Sequence, residues 1–216
     1  MQMQTLFRIF LLSACLLLGM TAFAQDEANK RIAPAIATVL VRGNAERFEV
    51  VGSGIFVRSD GVLLTAYDLV QGAREIQVRT SNGEIFDKVQ LIASDERRNV
   101  AVLRVHATDT PFVPIGAIDE SLIGTNVTAV YSAVGTSTAG PAGVLSSIAL
   151  ADEIPGAGTG FRVLKFTLPV NRTASGGVLI DPHGRALGLI VPAVQAQTQN
   201  YALPLHHVVG LIRSVP

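Results

Sequence analysis

Residues 172–184 read RTASGGVLIDPHG, and the fold is decided by how the chain passes through them. Ser175-Gly176-Gly177 enters an apolar run that turns back at Asp181-Pro182-His183-Gly184. The two glycines give the backbone the φ freedom of a tight turn, while Pro182 presets the first corner of the next turn and Gly184 closes it. A serine held this way is either a plain turn residue at a strand entrance or a nucleophile on display.

Outward from this stretch, short Val- and Ile-rich runs alternate with turn signals. They cover Ile36 to Val41, Phe48 to Val57, Val62 to Thr65, Ile76 to Thr80, Ile85 to Ile92 and Val100 to Val105. After a segment of little strand character at 106–126 come Val127 to Tyr131, Val144 to Leu150, Phe161 to Thr167, Gly177 to Ile180 and Ala186 to Val191. Ser59-Asp60-Gly61 and Ser81-Asn82-Gly83 read as further hairpin turns. Many short strands with frequent turns predict an all-β sandwich or barrel, divided into two halves near 106–126. The stretches 137–143 (STAGPAG) and 155–160 (PGAGTG) read as small-residue loops. A short helix is expected from about Ala66 to Gly72, and a C-terminal one over about 205–213, where Leu205, Val208, Val209 and Ile212 share a face behind Pro204.

The remaining composition limits the function. The chain has 216 residues, is 49% hydrophobic, and balances 17 Lys+Arg against 17 Asp+Glu. It can bury a sizeable core, and it lacks the bulk charge that would draw it to nucleic acid. Arg8, the apolar stretch 9–20 and Ala22-Phe23-Ala24 predict a secretory leader over 1–24, followed by a soluble domain over 25–216, periplasmic or secreted. A lipoprotein box at Leu12-Ser13-Ala14-Cys15, with Cys15 lipidated, is the minor alternative. An uncleaved anchor is the third, although its apolar span falls short of the roughly 20 residues a membrane helix needs. Cys15 is the sole cysteine, so removing the leader leaves no thiol for catalysis, a disulfide or a zinc site. No cofactor or metal is expected: His206 and His207 are neighbours, which on a helix do not converge on one ion. Gly52-Ser53-Gly54 lies inside a strand pattern and lacks the helix and lysine of a phosphate loop.

Four blocks together carry a more specific resemblance. GSGIFVRSDGVLLTAYDLVQGAREIQVRTSNGEIF (52–86), SDERRNVAVLRV (94–105), NRTASGGVLIDPHGRALGLI (171–190) and NYALPLHHVVGLI (200–212) resemble, in order and spacing, the trypsin-like peptidases of the HtrA/Deg type. The resemblance implies two six-stranded β-barrels, about 34–105 and about 122–204, with the active site in the cleft between them. No PDZ domain is expected before the end at Pro216. LLTAYDLV places Asp68 where the family carries its general-base histidine. SDERRNVAVLRV places Asn99 where the orienting aspartate belongs, and TASGGVL places Ser175 at the nucleophile. Thr173 replaces the glycine whose N–H, with that of Ser175, lines the family's oxyanion hole, and Ala174 replaces an asparagine.

Only the serine of the triad matches. An alkyl hydroxyl is a weak nucleophile at neutral pH and needs a base within hydrogen-bond reach, and a carboxylate is a far weaker base than imidazole. His106, His183, His206 and His207 all fall outside the cleft position the resemblance defines. Lys30, Lys88 and Lys165 are the candidates for a Ser-Lys dyad, Lys165 being the one on the run before the site loop. The sequence therefore points to an inactive pseudoprotease that binds a polypeptide or acts as an assembly partner. An active serine endopeptidase using Ser175 with Asp68 or Lys165 as an unusual base is the alternative, and a purely structural role is the third. Oligomeric state and ligand identity are not legible in the sequence.

Overall fold

The Val/Ile runs do produce strands, several of them buried on both faces, and they group into two halves. In the computed structural model, residues 27–43, 47–133, 136–154, 157–170, 172–191 and 200–215 are described. The leader read at 1–24, with Cys15, lies outside them. A helix at 27–32 (α1) leads into β1 (Ile36–Arg42), β2 (Glu49–Phe56), β3 (Val62–Ala66), a single helical turn α2 (Tyr67–Val70), β4 (Glu75–Thr80), β5 (Ile85–Phe86), β6 (Val89–Asp95) and β7 (Val100–Val105). After a connection without strands come β8 (Asn126–Ala133), β9 (Thr136–Leu150), β10 (Arg162–Phe166), β11 (Val178–Ile180), β12 (Ala186–Ile190) and β13 (Asn200–Pro204). A 3-10 turn at Leu205–His207 and helix α3 (Val209–Ser214) follow.

The second half is a closed six-stranded barrel, ordered β10-β13-β12-β11-β8-β9. The first differs from the six-stranded barrel expected: it is a curled seven-stranded sheet, ordered β5-β4-β1-β2-β3-β7-β6. The run from Ile85 to Ile92 breaks at Asp87-Lys88 into β5 and β6, which take opposite edges of that sheet. Asp87 leaves the ladder and accepts a hydrogen bond from the Gln77 side chain instead.

Three further expectations need correction. Residues 137–143 are not a loop but belong to β9, paired with β8. The ladder slips between Thr128 and Val130, opposite Gly140-Pro141, so the proline sits at an irregularity where its missing N–H costs little. The C-terminal segment is not one helix, because Val208 N–H bonds back three residues to Leu205 at 3.0 Å before Ile212 N–H begins the α pattern on Val208 at 2.9 Å. Its apolar face is as expected, with Leu205, Val208 and Ile212 buried. The helix at 27–32 was not expected; it docks Ala28 and Ile32, both buried, over the Gly184 turn, where glycine takes a φ of 77°.

Period-two alternation separates two faces of the barrel. Leu164, Phe166, Leu179, Leu187 and Ala202 fill its interior, while Val163, Val178, Leu189, Tyr201 and Leu203 join the core shared with the first sheet. Each fully buried aliphatic side chain contributes on the order of 2 kcal/mol, so the shared core binds the halves together and creates a fixed seam.

Candidate active site in the seam

The seam is laced by hydrogen bonds that converge on the turn before β11. Ser53, in β2, donates its N–H to the Ser175 carbonyl at 2.8 Å and its hydroxyl to the Thr173 carbonyl at 3.1 Å. The same hydroxyl accepts the Ser132 N–H at 2.9 Å, and the Ser53 carbonyl accepts the Thr65 hydroxyl at 2.7 Å. Thr38 and Ser132 join through their hydroxyls at 2.5 Å. All of these residues except Thr173 are buried, so the bonds form where water cannot compete.

Two glycines permit this approach. A Cβ on Gly52 would stand 2.7 Å from the Ser175 carbonyl oxygen and 2.6 Å from Leu69 Cδ1. Gly176 has φ +77°, and a Cβ there would fall 2.0 Å from the Ser53 carbonyl oxygen. Its N–H bonds Ile190 at 2.9 Å, and the Gly177 N–H closes the turn on Ala174 at 2.9 Å. The backbone around Ser175 is therefore held from both halves. The side chain is not: Ser175 is buried, and its hydroxyl has no hydrogen-bond partner among the described residues.

Asp68 and Asn99 meet at the opposite wall. Asp95 caps the 3-10 turn Glu96–Arg98, and Asn99 ends it at a left-handed φ of 53°. In that pose Asn99 Oδ1 accepts the backbone N–H of Asp68 at 2.8 Å, and the Asn99 carbonyl accepts the Tyr67 N–H at 3.2 Å. The first turn of α2 has no side-chain cap of its own, because its N-cap is Ala66, and Asn99 supplies one from across the strands. The Asp68 carboxylate is exposed. It faces Tyr201 of β13, whose phenol is pushed up to about 12, first by burial and then by the Asp68 charge.

The structure thus brings Asp68 and Asn99 into contact, and sets Leu69, the neighbour of Asp68, beside the Ser175 carbonyl over Gly52. Neither Asp68 nor Lys165 hydrogen-bonds the Ser175 hydroxyl. Lys165 lies in β10, opposite Tyr201. His106 is exposed at the end of β7, and His183 sits in the Asp181–Gly184 turn. His206 and His207 stack with ring centroids 4.1 Å apart in the 3-10 turn after β13. His207 is held below its ordinary pKa by burial, then by His206 and Arg98. Among the described residues, no group of three or more His, Cys, Asp or Glu gathers as a metal would require. No helix among them is long and apolar enough to cross a membrane. Sequence reading missed Tyr201 and Ser53 as parts of the seam. Tyr201 gives no local signal, but glycines flanking Ser53 inside a strand mark close backbone approach.

A family model described as the trypsin-like peptidase domain matches residues 52–189, a span that includes Asp68, Asn99 and Ser175. The chain belongs to that family. The serine endoprotease DegS of Haemophilus influenzae is 26% identical to it over 174 residues, covering 76% of this chain and 50% of DegS. A probable periplasmic serine endoprotease, DegP-like, of Hahella chejuensis is 32% identical over 152 residues, covering 68% and 31% respectively. The crystal structure of a serine endoprotease from Yersinia pestis superposes with a TM-score of 0.73 at 25% identity, over 88% of this chain and 65% of that one. The HtrA-type protease AlgW with a decapeptide gives 0.75 at 22% identity, over 87% and 66%, and shares the fold. This trypsin-like chain spans half or less of the length of those two curated relatives.

Proposed function

We propose that the chain is an exported, catalytically inactive trypsin-like domain of the HtrA/Deg type that binds a polypeptide or serves as an assembly partner. The observation that carries this reading is the Ser175 hydroxyl, buried with no hydrogen-bond partner among the described residues, while aspartate occupies the general-base position at 68. Without a base, a serine protease loses on the order of a million-fold in rate. Asn99 could orient an imidazole, but position 68 offers none, and its Oδ1 accepts the Asp68 backbone N–H. Thr173, where the family has glycine, stands at the position of an oxyanion donor, and losing one such donor costs roughly a hundred- to thousand-fold.

Polypeptide binding is supported by the decapeptide carried by AlgW, which shares the fold. Export is supported by the leader pattern at 1–24 and by the periplasmic relative. A working endopeptidase would need Asp68 or Lys165 within about 3 Å of the Ser175 hydroxyl, and no observation favours that arrangement.

Reversal tests the reading. Asp68→His alone is expected to leave turnover of an unstructured protein substrate at the wild-type background. The new imidazole would face Asn99, an arrangement that costs a serine protease about ten-thousand-fold. Measurable cleavage is expected only when Asp68→His, Asn99→Asp, Thr173→Gly and Ala174→Asn are combined. Wild-type cleavage that disappears in Ser175→Ala would overturn the proposal.

A further inference from the structure

Just before Asn99, the first sheet grips the barrel. Arg97 Nη2 donates to the Thr159 carbonyl at 3.0 Å, and the Arg98 guanidinium lies 5.8 Å from the centre of the buried Phe161 ring. The approach requires a glycine: Gly158 takes a φ of +100°, and a Cβ there would stand 2.8 Å from the Arg97 carbonyl oxygen. These contacts join the 3-10 turn Glu96–Arg98 to the segment before β10. Asn99, which ends that turn, passes the connection on to the Asp68 amide.

A second piece of the barrel, the 3-10 turn Leu205–His207, meets the same grip with a titratable ring. His207 is half-buried, and its Nε2 is buried with no hydrogen-bond partner among the described residues. The charged groups that act on it are His206, whose ring centroid is 4.1 Å away, and Arg98 from the first sheet. Strand β12, packed behind this turn, carries no titratable side chain, and Arg213 of α3 is exposed. The carboxylates of the grip are already engaged. Asp95 accepts Arg98 Nη1 at 2.5 Å and the Arg98 N–H at 3.2 Å, Glu96 accepts the Tyr67 hydroxyl at 2.8 Å, and Asp152 accepts the Gly160 N–H at 3.0 Å. A neutral His207 fits this arrangement. A protonated one is a partly buried cation set against Arg98, with its new Nε2 proton lacking an acceptor among the described residues.

We infer that the grip is an acid-sensitive switch: protonation of His207 beside Arg98 releases the turn Glu96–Arg98 from the barrel and, through Asn99, loosens the hold on Asp68. Burial first, then His206 and Arg98, keep the His207 pKa below its ordinary 6.5, so the released state takes up this proton at a higher pH than the closed one. The grip is therefore fully closed above pH 6.5 and is lost as the pH falls through the lower value of the closed state. The switch does not involve Ser175, so it stands or falls separately from the function proposed above.

Nuclear magnetic resonance on the full chain between about pH 8 and 5 tests the inference, following the His207 ring and the hydrogen exchange of the Asp68 amide, corrected for its intrinsic rate. Protection at Asp68 should fall about tenfold per pH unit, the slope of one linked proton, between 6.5 and the His207 midpoint. The Gly176 amide, bonded to the Ile190 carbonyl within the barrel, should keep its protection. His207→Gln should abolish the fall at Asp68, and Arg98→Gln should raise the His207 midpoint. The wild-type comparison needs no variant, so an unstable His207→Gln leaves the test decisive. A His207 titration without loss of protection at Asp68, an equal loss at Gly176, an unshifted midpoint in Arg98→Gln, or a fall that persists in His207→Gln would each overturn the inference.

Discussion

At the scale of single residues, Asn99 ties the first turn of α2 to the 3-10 turn before β7. Its side chain holds the first turn of α2 through the Asp68 amide, and its left-handed φ is one that asparagine tolerates better than most residues. The two contributions separate by substitution. Asn99→Gly removes the hydrogen bond but fits the φ, costing about 1 kcal/mol, whereas Asn99→Ala also adds backbone strain and should cost about 2 kcal/mol. Asn99→Asp keeps both and should leave stability near wild type. Urea midpoints at constant m-value measure the order; equal losses for Gly and Ala would show that the φ carries no strain. Asp68, Asn99 and Ser175 stand out in the sequence because they lie inside blocks whose order and spacing resemble the HtrA/Deg peptidases. The role of Asn99 as a cap does not, since it depends on a contact between residues far apart in the chain.

At the scale of elements, the strands were legible where short Val/Ile/Leu-rich runs stand between turn signals, as in β1, β3 and β7. They were misread where composition and context disagree. Residues 137–143 carry glycine, proline and alanine, yet the barrel needs a long β9 to pair with both β8 and β10, and tertiary pairing overrides local preference. The break at Asp87-Lys88 was equally hidden, because Ile85-Phe86 before it and Val89 to Ile92 after it read as one apolar run. Strand β13 carries a measurable consequence of packing against the other half. The Tyr201 phenol titrates near 12 in the folded chain and near 10 when unfolded, so between those values the native state holds a proton that the unfolded state has lost. Stability should therefore fall as pH rises from 10 to 12, by about 2–3 kcal/mol. Tyr201→Phe should flatten that alkaline limb, and Asp68→Asn should reduce it by a smaller amount. An unchanged limb in Tyr201→Phe, followed by chemical denaturation at each pH, would contradict the assigned burial.

At the scale of the whole molecule, a sheet and a barrel share one apolar core, and the polar seam between them is where the family performs its chemistry. The seam is intact: Gly52, Ser53, Gly176 and Gly177 fix the turn around Ser175 through contacts that tolerate no Cβ at 52 or 176. That constraint explains the two glycines that follow Ser175. The turn is required by packing at Gly52 and Gly176, whatever stands at 68, 99 and 173. Whether any base reaches Ser175 is the central question, and a fluorophosphonate probe reads it directly, because such reagents react with an activated hydroxyl and not with a merely present one. The wild-type chain should remain unlabelled under conditions that label an active HtrA-type protease to completion. Stoichiometric labelling that Ser175→Ala abolishes would show a working nucleophile and contradict the account.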